Sequence, residues 1–154
     1  NYGVELEMRK ALGFVAEALE STSIFANATL MSSEIELAQS LSESRPMVGQ
    51  SPYVVNAGIS YLHQDRGLSA TALYNVAGRR ITSAAEAPLP SVYEQPRHTL
   101  DVSLRFPLLA GLRAKADIEN VFDSAYEHIQ GSVVREYYRT GRTFSFGVTW
   151  QPGS

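Results

Sequence analysis

Seven segments of the chain alternate between hydrophobic and polar residues with a period of two. In the first, Tyr2, Val4, Leu6 and Met8 alternate with Gly3, Glu5, Glu7 and Arg9. Because successive side chains of a β-strand point to opposite faces, this period predicts half-buried strands. The predicted strands are 2–9, 14–33, 53–62, 68–76, 100–106, 112–119 and 143–150.

The region after the first strand also fits a second interpretation. Met8, Leu12, Val15 and Leu19 have the spacing of an amphipathic helix. Gly13 lies within that stretch and costs about 1 kcal/mol relative to alanine in a helix. Alternation resumes through Ile24, so we assign 14–33 to the return strand and keep the helix as the minor alternative.

The connections between the predicted strands alternate in length. They are short around 10–14, 63–67 and 107–111, and long at 34–50, 80–96 and 121–140. Outer-membrane β-barrels have short periplasmic turns and long outer loops, whereas β-sandwiches show no such asymmetry. Dividing 154 residues by seven gives about 22 per strand and connection, which leaves room for the roughly 9 to 11 residues of a membrane-crossing strand. The connections favour a barrel wall.

The two faces of the predicted strands differ strongly in polarity. On the pattern alone, a soluble antiparallel sheet with one solvated face explains this difference best. Aromatic residues near the strand ends shift the balance toward a membrane barrel, because barrels carry aromatic girdles at both interfaces. The polar face holds Glu5, Glu7, Arg9, Asn27, Asn56, Asn75, Asp101, Arg105, Arg113, Lys115, Asp117 and Glu119. The aromatic residues are Tyr2, Tyr53, Tyr61, Tyr74, Phe106, Phe144 and Trp150.

Composition narrows the classes of function. A formal net charge of −3 without a basic run argues against nucleic-acid binding, and the lack of cysteine excludes disulfides and thiolate chemistry. No run approaches the roughly 18 apolar residues of a spanning helix, and a mean hydropathy of −0.13 suits both a soluble sheet and a barrel wall. The chain starts within a strand without an initiator Met or signal peptide, so we expect it to be part of a larger protein.

Candidate chemistry along the chain is weak. His63, His98 and His128 match no short metal-binding motif. Ser60 and Ser69 follow Gly-X but lack the second glycine of a nucleophile elbow. Asn27 starts a formal glycosylation sequon, which we interpret as polarity within a strand. We therefore expect no enzyme activity, no metal and no cofactor.

Two motifs near the C-terminal end resemble a known family. The segment 117–126, with Asn120, Phe122, Asp123 and Tyr126, resembles the penultimate-strand signature of TonB-dependent outer-membrane receptors. The segment 138–150 is similar to the last strand of that family, and 45–56 is similar to its lead into an earlier strand. A departure is that Gln151 and three further residues follow the terminal aromatic Trp150.

The resemblance implies an all-β fold, the last seven or so strands of a 22-stranded antiparallel transmembrane barrel with short periplasmic turns and long extracellular loops. Residues 1–154 would then be the C-terminal segment of the barrel, without the plug domain and TonB box. It also implies that Phe144, Phe146, Val148 and Trp150 form the C-terminal signal for the barrel-assembly machinery.

The function implied by the resemblance is TonB-coupled uptake of a scarce nutrient across the outer membrane of a Gram-negative-type bacterium. A ferric siderophore or similar iron complex is the first choice of cargo, and ligand-binding residues stay unassigned. Expected partners are outer-membrane lipid, the N-terminal strands and plug, TonB, the assembly machinery and the imported ligand. The alternative is a self-contained small β-barrel, either porin-like or a soluble lipocalin-like binder.

Overall fold

A computed structural model describes residues 1–36, 44–86, 88–109 and 111–151. These residues form an all-β structure, and the only helix among them is a short 3₁₀ helix at Glu17–Leu19. No described helix is long and apolar enough to span a membrane. The strands are β1 Tyr2–Ala11, β2 Thr22–Ser32, β3 Ile35–Glu36, β4 Ser44–Arg45, β5 Tyr53–His63, β6 Leu68–Ala77, β7 Arg80–Ser83, β8 Val92–Glu94, β9 Arg97–Pro107, β10 Leu112–Glu119, β11 Tyr126–Gln130, β12 Val133–Tyr138 and β13 Thr143–Trp150.

Seven strands form one large antiparallel sheet in the order β1-β2-β5-β6-β9-β10-β13. These are the seven strands that the alternation predicts, so the all-β antiparallel class is confirmed. Strands β1 and β13 are the two edges, and the sheet does not close on itself among the described residues. We call the end of this sheet at 12–21, 64–67 and 108–111 the turn end, and the opposite end the loop end.

The predicted start of the second strand is wrong, because β2 begins at Thr22 and not at residue 14. Residues 12–21 form an irregular turn that contains the 3₁₀ helix, and the Val15 amide donates to the Leu12 carbonyl. The helix-forming run Ala16 to Leu19 favours a helical turn over extension. The helical alternative is also wrong beyond this single turn, since β1 extends to Ala11.

Two of the long connections form a second sheet that the sequence analysis missed. Strands β7 and β8 from one connection join β11 and β12 from the next in the order β12-β11-β8-β7. Strands β3 and β4 pair as a separate short hairpin. The connections at 80–96 and 121–140 therefore contain paired β-strands, and we call the four-stranded unit the small sheet.

The register places most apolar positions of the large sheet on one face, with Phe25, Val54 and Leu73 among the exceptions on the other. Leu6 pairs with Ala28, Ala28 with Val55, and Val55 with Val76, and similar apolar rows continue to β13. The buried apolar side chains of the described chain are only Val76, Ile81 and Ala114. Leu6 and Phe146, on the two edge strands, are 64% and 71% exposed. No second layer covers this apolar face among the described residues.

The strands of the large sheet are progressively staggered. A line perpendicular to the strands passes from Met8 through Ala26, Ala57 and Tyr74 to Leu100. Met8 is three residues from the turn end of β1, whereas Leu100 is three residues from the loop end of β9. Strands displaced in this way lie tilted within the sheet, and such a stagger is what the wall of a β-barrel requires.

Gly58 in β5 allows a close aromatic contact on the polar face. A Cβ atom at this position would lie 2.3 Å from Cζ of Phe25 and 2.8 Å from the carbonyl oxygen of Ala72. We expect Gly58→Ala to destabilise the chain by about 1 to 3 kcal/mol, because the ring and the neighbouring strand must both move. Urea unfolding measures the change. Gly147→Ala is the matched control, since its added Cβ meets nothing within 4 Å; equal losses for both variants would contradict the expectation.

Candidate functional site

The apolar face of the large sheet carries all seven aromatic residues predicted for strand ends. Tyr74 also forms a hydrogen bond of 2.6 Å between its hydroxyl and Nδ1 of His98. Phe144, Phe146, Val148 and Trp150 lie on this face of the edge strand β13 and are 51 to 71% exposed. The proposed C-terminal signal is therefore a continuous, accessible hydrophobic stripe along the edge of the sheet.

The opposite face carries all twelve polar residues expected there. At its centre, Asn27, Asn56 and Asn75 lie side by side on three strands. Nδ2 of Asn27 donates to Glu5 at 2.7 Å, and Nδ2 of Asn75 donates to Asn56 at 2.7 Å. Such a row of amides on a wet surface can exchange hydrogen bonds with a polar partner or solute.

Charge is unevenly distributed on the polar face. Glu5 and Glu7 lie on β1, whereas Arg105, Arg113 and Lys115 lie on β9 and β10 near the turn end. Arg105 and Lys115 are directly opposite each other, a destabilising arrangement for like charges. The ion pair of Lys115 with Asp117, at 2.8 Å, offsets part of this repulsion. The basic residues of this face therefore cluster near the turn end of β9 and β10, and the same strands also carry the acidic residues Asp101, Asp117 and Glu119.

Asn120 organises the loop end of β10. Its φ is 55°, a left-handed conformation that asparagine tolerates better than most residues. The buried side chain donates from Nδ2 to the Gly141 carbonyl at 2.8 Å and accepts at Oδ1 from the Ser124 amide at 3.0 Å. The Asn120 amide donates to Asp101 at 2.8 Å. One residue thus connects β9, the turn after β10 and the lead into β13.

The other motif residues within 120–126 differ in their backbone conformation, contacts and exposure. Asp123 also has positive φ, 51°, and lies 3.5 Å from the guanidinium of Arg139. The hydrogen bond between Arg139 and the Tyr137 hydroxyl raises the pKa of Arg139 above its ordinary value. The negative charge of the Asp123 carboxylate raises it further. The rings of Tyr126 and Tyr138 are stacked, with their centroids 4.9 Å apart. The side chain of Phe122 is half exposed. The motif therefore fixes the fold of the connection that leads to the last strand.

The histidines and serines considered in the sequence lie apart. His63 ends β5 at the turn end, His98 contacts Tyr74 on the apolar face, and His128 lies in the small sheet. No group of three or more His, Asp or Glu in the described ranges could hold a metal ion. Ser60 shares a 2.8 Å hydrogen bond with Ser23, and Ser69 lies opposite Arg105.

The small sheet contains a row of charged groups across its four strands. Arg80 pairs in register with Glu94, Glu94 with His128, and His128 with Glu136. Nε and a terminal nitrogen of Arg80 contact Oε2 of Glu94 at 2.9 and 2.8 Å. Nδ1 of His128 is buried without a hydrogen-bond partner, 3.6 Å from the Glu136 carboxylate. The pairing of β8 with β11, in which Glu94 lies opposite His128, joins the two long connections.

A pocket of about 180 Å³ lies where the small sheet meets the loop end of the large one. Arg79, Arg80 and Tyr93 line it together with residues that flank β2 and β5. Sequence reasoning missed these residues because it treated 80–96 as a featureless loop. A usable signal for the small sheet was Gly131-Ser132, a favoured two-residue hairpin turn between two short β-prone runs.

A comparison of the chain with protein-family models, curated proteins and solved structures finds no match.

Proposed function

We propose that this chain is part of the wall of an outer-membrane β-barrel and acts in TonB-dependent uptake of a scarce nutrient. The observation that carries the proposal is the continuous apolar face of the large sheet, which no described layer covers and which is backed by a dense polar face. Lipid is the environment in which such a face is stable. The polar face would then line the lumen and contact the plug domain.

The surface area of the chain supports a membrane wall over a soluble domain. Its accessible surface is 10828 Å², whereas a folded monomeric protein of 16.9 kDa exposes about 7,700 Å². A soluble lipocalin-like binder would bury its apolar face in a core. The described residues bury only three apolar side chains, so the packing does not support that alternative. The stagger of the strands adds a second, independent argument for a barrel.

The remaining parts of the proposal follow from the family resemblance. The loop end, with the small sheet, would be extracellular, and the turn end periplasmic. The β13 stripe of Phe144, Phe146, Val148 and Trp150 would be read by the barrel-assembly machinery. Cargo, with a ferric siderophore or similar iron complex as the first choice, would pass along the polar face after TonB moves the plug.

Refolding tests the membrane part of the proposal. We expect the chain to fold only with detergent or lipid and then to migrate differently on a gel before and after heating, as stable membrane β-sheets do. The lack of cysteine excludes disulfides as a cause of any shift. A folded and monodisperse species in plain buffer, shown by sedimentation, would contradict the membrane wall and favour the soluble binder.

Uptake by cells tests the transport part. Cells that lack the gene for this chain should lose accumulation of radiolabelled ferric siderophores, and a protonophore should abolish accumulation in cells that retain it. Diffusion of small sugars should be unchanged. Loss of sugar diffusion with iron uptake intact would instead identify a porin-like protein.

A further inference from the structure

The pocket at the loop end has a rigid frame. The buried Ser51 hydroxyl donates to the Gly78 carbonyl at 2.9 Å, and the Gly78 amide donates to the Tyr53 carbonyl at 2.8 Å. The Gly49 amide donates to the Ile81 carbonyl at 2.7 Å. These bonds fix the backbone on both sides of Arg79 and Arg80.

The guanidinium of Arg79 lies over an aromatic ring. Its guanidinium carbon lies 3.9 Å from the ring centroid of Tyr93, a close cation–π contact. The neighbouring Arg80 is neutralised by Glu94. Within the described ranges no carboxylate lies within 4 Å of the Arg79 guanidinium. The guanidinium of Arg79 therefore forms no ion pair with the described carboxylates, and its N–H groups can donate to an anion.

We propose that this pocket binds a small organic carboxylate whose carboxyl group is held by Arg79. A planar guanidinium recognises a carboxylate with two parallel hydrogen bonds, which a neutral group cannot replace. Ser32 and Gln50 line the pocket and carry uncharged donors. The inference does not depend on the membrane proposal, because it rests on the lining of the pocket at the loop end and on the contact between Arg79 and Tyr93.

The size and the lining of the pocket favour a carboxylate ligand that contains a ring. A cavity of about 150 Å³ accommodates benzene, so about 180 Å³ admits a ring that bears one carboxyl group. The apolar part of the lining includes Met31, Pro46, Pro52, Ile81 and the Tyr93 ring. Benzoate is therefore a suitable probe, and benzamide is its uncharged equivalent of nearly the same shape.

Titration calorimetry at constant ionic strength tests the pocket, with the chain folded in whichever medium keeps it monodisperse. We expect saturable binding of benzoate, competition by inorganic phosphate for the same oxyanion position, and no binding of benzamide. Arg79→Gln should weaken benzoate binding about tenfold or more, since a hydrogen bond between two charged groups is lost. Arg79→Lys keeps the charge without the planar fork and should also weaken binding.

Arg97→Gln is the matched control. Arg97 lies over the Tyr126 ring at 4.0 Å, the same arrangement as Arg79 over Tyr93, but it does not line the pocket. Its replacement should leave benzoate affinity unchanged. Equal losses in Arg97→Gln and Arg79→Gln, equal binding of benzamide and benzoate, or no saturable binding of benzoate would each overturn the inference. Circular dichroism of each variant separates these outcomes from misfolding.

Discussion

Replacing Asn120 by alanine is expected to lower the free energy of unfolding by about 3 kcal/mol. The substitution removes two side-chain hydrogen bonds of the buried Asn120, each worth about 1 kcal/mol. It also removes the local side-chain hydrogen bonding that lets asparagine tolerate a φ of 55° better than alanine does, which adds up to about 1 kcal/mol. Urea unfolding of the refolded chain measures this loss.

Asn120→Gly separates the two contributions. Glycine loses the same two hydrogen bonds but adopts the positive φ without strain. We therefore expect the glycine variant to be more stable than the alanine variant by about 1 kcal/mol. Wild-type stability in both variants would show that the links from Asn120 to Gly141 and Ser124 do not hold the loop end together.

Ala72→Arg is expected to destabilise the membrane-inserted chain by about 2 to 4 kcal/mol. Ala72 is the central residue of the apolar face of β6, with Ile59 and Val102 opposite it on the neighbouring strands. In a barrel wall this position lies near the bilayer midplane, where an arginine is most costly. Reversible unfolding from lipid vesicles measures the effect.

Thr71→Arg is the matched control for this substitution. Thr71 is adjacent to Ala72 but lies on the polar face, between Ser60 and Ser103. Arginine there would remain in water, so we expect a change below about 1 kcal/mol. If both arginine variants were equally stable, the apolar face would not be in contact with lipid.

The strands of the large sheet were predictable because their signal is local and repeated. Alternation along β5 and β6, for example, is enough to predict both strands and the face of the sheet on which Asn56 and Asn75 lie. The stagger between strands was not predictable from the pattern. Register depends on which residues pair across strands, and that information is not contained in one segment.

The errors arose where local preferences compete or where pairing is long-range. The apolar residues of 14–21 fit either a strand or a helix. In the structure these residues form a turn that contains a short 3₁₀ helix. The small sheet joins β8 to β11, which are more than thirty residues apart and only three and five residues long. Such short strands have too few residues to show a period.

The candidate site was predictable only in part. The family resemblance selected Asn120 and Asp123, and the structure gives both a positive φ that explains why a special residue is useful there. The contact between Arg79 and Tyr93 was not predictable, because nothing in the sequence links a residue just before β7 to a ring on β8. The assignment of lipid and lumen to the two faces stays a proposal.

Spin-label accessibility along β6 tests the central proposal most directly. The chain contains no cysteine, so single cysteines can be placed at each position from Ser69 to Val76 in lipid-refolded protein. We predict high oxygen accessibility at Ala70, Ala72 and Tyr74, and high accessibility to a water-soluble nickel complex at the positions between them; Val76 is buried and serves as the inaccessible reference. Uniform accessibility to the nickel complex on both faces, or inaccessibility of Ala70, Ala72 and Tyr74 to both reagents, would contradict a lipid-facing wall.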